Sequence, residues 1–229
     1  MEFLQTPDFW IGLMKIIWIN IILSGDNAVV IALAARSLPP VQQRQAVLFG
    51  SGAAVLLRIA LTVVAVKLLT MPYLQIVGGV LLLYIGVQLL SDQGDGEGEE
   101  KVHGSLLAAI RTILIADLVM SLDNVIGVAA AAHGSMLLLV LGLAISIPMV
   151  VFGSTMMIRL MERFPVVVTL GAALIGWVGG ETMANDTILA PLLHDHAWLH
   201  QASPVLGAAL VLALGRWLQG RARQQEDPV

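Results

Sequence analysis

Apolar residues run along this chain in long blocks, and a helix needs about 20 of them to cross a bilayer. Seven blocks stand out: 9–34, 46–69, 73–90, 105–132, 136–160, 166–183 and a shorter one at 204–218. Prolines at 39, 40, 72, 165 and 204 fall at block boundaries, where helices begin or stop. The pattern predicts an all-α, polytopic membrane helical bundle with about seven transmembrane helices.

Composition removes the soluble alternative. The chain is 58% hydrophobic and 12% charged, whereas soluble domains are about 45–50% apolar and about 25% charged. With no cysteine, disulfide scaffolds, iron–sulfur clusters and thiolate metal sites are excluded. A net charge of −4 leaves no footprint for nucleic acid. Positions 1–8 hold Glu2 and Asp8 but no basic residue, so the first block is expected to remain as a helix rather than be cleaved. Arg36, Arg44, Lys101, Arg111, Arg159, Arg163, Arg216, Arg221 and Arg223 fall on one side of this layout, and only Lys67 on the other. Lys15 lies inside the first block, where it is expected to snorkel outward. The bias predicts a multi-pass cell-membrane protein with its N-terminus out and C-terminus in.

The chain also repeats itself. Ser24-Gly25-Asp26-Asn27 in the first block matches Ser121-Leu122-Asp123-Asn124 in the fourth, 97 positions later. The same offset aligns Asn20 with Asp117 and Arg36 with His133. At an offset of 93, Pro72, Gly78, Tyr84, Gly86 and Gln88 align with Pro165, Gly171, Trp177, Gly179 and Glu181. A unit of three spans reverses its orientation when repeated, so the halves form an inverted repeat, an arrangement common in transporters. The expected organisation is a first three-helix repeat at 1–91, an acidic Gly-rich cytoplasmic linker at 92–104 and a second repeat at 105–184. An outer loop at 185–203 and a C-terminal helix with a basic tail at 204–229 complete it.

The candidate chemistry lies inside the spans. Asp26 and Asp123 fall near mid-depth, where an unpaired carboxylate costs at least ~2.5–3.5 kcal/mol. At about 100° per residue, Asn20, Ser24 and Asn27 share one helix face, and Asp117, Ser121 and Asn124 share the equivalent face in the second half. The aspartates lie off that stripe by about 100°. Gly25 offers a place for the first helix to loosen and turn Asp26 inward, whereas Leu122 predicts a straighter second helix. The candidate metal ligands are therefore Asp26, Asn27, Asp123, Asn124, Asp117, Asn20, Ser24 and Ser121. This all-oxygen set suits hard divalent cations such as Mn²⁺, Mg²⁺ and Ca²⁺. Three aspartates and Arg58 leave a charge of about −2, which one such ion neutralises.

Arg58 and Glu181 are the candidate gating or ion-pair residues, and the region opposite Arg58 in the fifth block, Ser146-Ile147-Pro148, has no charge. Met14, Met120 and Met183 read as packing. His194, Asp195, His196 and His200 read as a solvated cluster, although His196 and His200 have a spacing that suits a surface metal site on a helix.

The twin S-G-D-N and S-L-D-N motifs, the run GDNAVVIALAARSLP and the seven-span layout resemble the TerC family, and within it the YjbE-type branch. The resemblance implies manganese export and manganese homeostasis, with Asp26, Asn27, Asp123 and Asn124 as metal ligands. The expected function is a secondary transporter exporting divalent metal, most readily Mn²⁺, with Mn²⁺ as cargo and no prosthetic group. The alternatives are export of Ca²⁺ or a small organic solute, and an intramembrane aspartyl protease. No enzyme activity is expected, and no nucleotide-binding signature occurs. The expected partners are the divalent metal and membrane lipid, with no nucleic acid; the sequence leaves room for a homo-oligomer.

Overall fold

The computed structural model describes residues 7–22, 24–69, 71–91, 105–131, 135–195 and 197–226. Among the described residues the chain forms nine helices and no strand. They are α1 (Pro7–Ile22), α2 (Ser24–Ala35), α3 (Pro40–Leu69), α4 (Leu74–Ser91), α5 (Leu106–Ala131), α6 (Met136–Arg163), α7 (Val166–Ala184), α8 (Ala190–Asp195) and α9 (Ala197–Glu226). Stretches of α3, α4, α6, α7 and α9 are long and apolar enough to cross a membrane, and α2 is a shorter apolar helix. The first apolar block corresponds to α1 and α2, which flank Leu23, and the fourth to α5. The surface is what a bilayer requires: Leu56, Tyr84, Phe152, Leu170 and Trp198 are among many large apolar side chains left exposed. The acidic linker at 92–104 lies outside the described residues.

One expectation fails at the C-terminal end. Pro204 does not start a helix; it sits inside α9, which begins at Ala197. The predicted outer loop at 185–203 therefore contains α8 and the first turns of α9. A proline inside a helix orphans the carbonyl four residues earlier, here that of His200. The Ser203 hydroxyl donates to that carbonyl at 3.0 Å, which satisfies it and lets the helix continue.

Two groups of helices make up the bundle. In one, α4, α7 and α9 pack on each other through glycines. A Cβ on Gly79 would come within 2.5 Å of the Gly179 carbonyl oxygen, and one on Gly176 within 2.6 Å of the Gly207 carbonyl oxygen. Backbones this close leave no room for a side chain. In the other group, α3 packs on α5 and on α6, and α6 packs on α1 and α2. The first helix of each half thus packs on the second helix of the other half. The contacts repeat in detail. A Cβ on Gly50 of α3 would meet Ile113 of α5 at 2.8 Å, while one on Gly142 of α6 would run into Ile16 of α1.

α4 is tied at both ends by other elements. At its start, Asp186 Oδ1 accepts the Tyr73 N–H at 3.1 Å, and Oδ2 accepts those of Gln75 at 3.1 Å and Ile76 at 3.2 Å. These are first-turn amides that no helix can satisfy internally. Tyr73 is held there at φ 67, a left-handed conformation that is costly for a bulky residue. At the other end, an Arg36 nitrogen donates to the Leu89 carbonyl at 3.0 Å, and the Gln219 amide donates to the Leu90 carbonyl. A carboxylate at the N-terminus and a guanidinium at the C-terminus both complement the helix dipole.

Candidate functional site

The charged residues of α2, α3 and α5 converge within the bundle. Arg58 and Asp117 are 5% and 7% exposed, and an Arg58 Nη lies 2.5 Å from Asp117 Oδ1. Arg58 Nε donates to the Ser121 hydroxyl at 3.0 Å, which donates in turn to Asp117 Oδ2 at 3.2 Å. Asp117 and Ser121 lie four apart on α5 and so share a face, which lets one guanidinium reach both. Among the described residues, the aspartate that Arg58 pairs with is Asp117.

Asp26 is half-buried in the first turn of α2 and accepts the Asn27 backbone N–H on Oδ1 at 2.8 Å. Its helix packs on both α3, which carries Arg58, and α5, which carries Asp117. Asn27 is buried at 3% exposure and Ser121 at 0%, and Asn124 is half-buried. Asp123 lies on α5 and Asn20 and Ser24 on α1 and α2; their side chains are outside the described residues. α5 runs without interruption through Ser121–Asn124, as Leu122 predicts, and Leu122 itself is buried. Gly25 is exposed, and a Cβ there would meet nothing within 4 Å, so packing does not require this glycine.

The two half-sites differ in charge. Thr62 donates to the Arg58 carbonyl at 2.7 Å, and Ser154 donates to the Val150 carbonyl at the same distance. With the Gly50 and Gly142 contacts, these bonds set α3 against α6 at an offset of 92. The counterpart of Arg58 is therefore Val150, a short way beyond the predicted Ser146-Ile147-Pro148. Both readings make the fifth span neutral at this level. The counterpart of Asp117 is Asn20. The α3/α5 packing carries a cation and an anion, and its equivalent on α6 and α1 carries neither.

Other candidates fall elsewhere. Glu181 is exposed on α7 and makes no ion pair among the described residues. Lys15 is exposed, Met120 packs in the core, and Met183 lies against Gly79. His200 bonds Asn185 Oδ1 at 3.1 Å, while the side chains of His194, Asp195 and His196 are outside the described residues. Among the described residues, no three His, Asp or Glu side chains gather to hold a metal ion. Asp186 was missed. It is 1% exposed yet accepts four backbone N–H groups, the fourth from Ile188 at 3.0 Å. Only that local Asx-type turn could have been read from the sequence; the other three donors are more than a hundred positions away.

Apolar helices around a buried polar cluster define a polytopic helical membrane protein. The chain belongs to the TerC family of integral membrane proteins, whose pattern matches residues 5–223. It is similar to the uncharacterized membrane protein YjbE of Bacillus subtilis, 43% identical over 93% of this chain and 97% of that protein. It is also similar to the uncharacterized membrane protein YkoY of the same organism, 25% identical over 95% of this chain and 74% of that protein. The inner membrane protein YoaE of Escherichia coli is 27% identical over 81% of this chain, which spans 39% of YoaE. No solved structure matches the chain.

Proposed function

We propose that this TerC-family protein is a secondary transporter that exports divalent metal, with Mn²⁺ as the leading cargo. The observation that carries the reading is the convergence of Asp26, Arg58 and Asp117 inside a membrane bundle, with Asn27 and Ser121 buried beside them. Ionisable residues at such depth are costly and mark ion pathways. Arg58 cancels Asp117, so the charge left for cargo is that of Asp26 and, on α5, Asp123. Two negative charges among oxygen donors suit one hard divalent ion. The exchanged packing of first and second helices supports an inverted repeat, with the site where the halves meet. Export is the direction that the family resemblance implies.

The test uses purified protein in liposomes. It should move Mn²⁺ down an imposed gradient, and Asp26→Ala or Asp123→Ala should abolish the flux. Normal transport by both variants would remove the site assignment. Preference for Ca²⁺ in the same vesicles would change the cargo, and lumenal pH would report proton coupling.

A further inference from the structure

We propose that Arg58 is a built-in competitor of the transported cation for Asp117, holding the site's affinity low enough for release. The inference rests on reading the site as a divalent-metal site. Both Asp117 carboxylate oxygens are engaged, Oδ1 by the guanidinium and Oδ2 by the Ser121 hydroxyl, which Arg58 also holds through Nε. A metal ion draws on those same oxygens, and the positive charge of Arg58 beside them opposes its approach, so cation and guanidinium compete for Asp117.

Packing does not require the pair. On α6 and α1, the equivalent positions are Val150 and Asn20, and those helices pack without either charge. A neutral solution therefore exists within the same molecule. A buried ion pair contributes little to stability against a well-packed apolar substitute. Its presence in one half-site alone is therefore better explained by the charge it sets.

That charge reaches beyond Asp117. The helix that carries Asp26, α2, packs on both α3 and α5, so the guanidinium also weakens a cation's hold on the second carboxylate. With Arg58 present, the three aspartates and the arginine sum to −2; without it the site carries −3. A transport site must bind well enough to load and weakly enough to unload. An internal cation that takes one carboxylate when the cargo leaves serves both needs, and a partly occupied competitor lowers apparent affinity by its own population.

Equilibrium binding of Mn²⁺ to the purified, detergent-solubilised protein tests this. Arg58→Gln should bind Mn²⁺ more tightly than wild type, by about tenfold or more, since one unit of opposing charge is gone. Misfolding cannot produce a gain. Arg58→Gln/Asp117→Asn restores a neutral pair that should fold even if the single variant does not. It should bind within about threefold of wild type, a difference under about 0.7 kcal/mol. Asp117→Asn alone, which leaves Arg58 uncompensated, should bind far more weakly. Unchanged or weaker binding by a monodisperse Arg58→Gln would overturn the proposal, as would a double variant as weak as Asp117→Asn. If wild type binds neither Mn²⁺ nor Ca²⁺, the metal-site reading itself fails and takes this one with it. Failure of the Arg58 role alone leaves wild-type binding intact.

Discussion

Ile16 on α1 and Ile113 on α5 stand 97 positions apart, and each packs on a glycine of the other half, Gly142 and Gly50 respectively. The two contacts fix how α6 lies on α1 and how α3 lies on α5. Two turns beyond Gly50, the same face of α3 delivers Arg58 to Asp117 and Ser121. At the corresponding position α6 carries Val150, buried in the apolar core that α2 lines. One packing solution, used twice, therefore presents a charge pair in one half and neutral residues in the other.

Removing only one member of that pair should be severe. In Asp117→Ala the Arg58 guanidinium stays buried without its carboxylate, and breaking a buried pair this way costs about 3–5 kcal/mol. Thermal unfolding in detergent should show a large drop for Asp117→Ala and recovery in Asp117→Ala/Arg58→Met. A small, equal effect in both would mean that Arg58 finds solvent at once.

The helical membrane bundle and the burial of Asn27, Asp117 and Ser121 were legible because hydropathy and helical phase are local properties of the chain. That Arg58 reaches Asp117 was not, since this depends on the rotation of α3 against α5, set by a contact 63 positions apart in sequence between Gly50 and Ile113. Pro204 was misread for a related reason: the Ser203 bond that satisfies the freed carbonyl is a geometric fact, and the proline alone signals a boundary. Asp186 escaped notice because three of its four donors lie across the fold.

Two glycines should respond in opposite ways to alanine. A Cβ at Gly207 would run into the Gly176 backbone carbonyl, which cannot move without separating α7 from α9. Overpacking of this kind costs about 1–3 kcal/mol, so Gly207→Ala should unfold at lower temperature. Gly25→Ala meets nothing and raises helix propensity by about 1 kcal/mol, so it should stay folded. If Gly25 serves to loosen the chain beside Asp26, Mn²⁺ flux in liposomes should nevertheless fall. Unchanged flux in Gly25→Ala would assign that glycine no part in transport.

Acid should loosen the face of the bundle that holds Asp186. Burial alone would raise the carboxyl's pKa, but hydrogen bonds from the N–H groups of Ile188, Ile76, Tyr73 and Gln75 outweigh it and hold it below the usual carboxylate range. A folded value below the unfolded value of about 3.9 means that Asp186 contributes fully above the unfolded value. The contribution fades as pH falls through the folded one. Asp186→Ala orphans the first turn of α4 and leaves Tyr73 strained at φ 67 without its bond, at a cost of about 1–3 kcal/mol. Melting temperatures of wild type and Asp186→Ala should therefore differ clearly at neutral pH and converge as pH drops below about 4. A gap that persists unchanged into strong acid would mean that the charge on Asp186 contributes nothing, and that its oxygens act only as neutral acceptors.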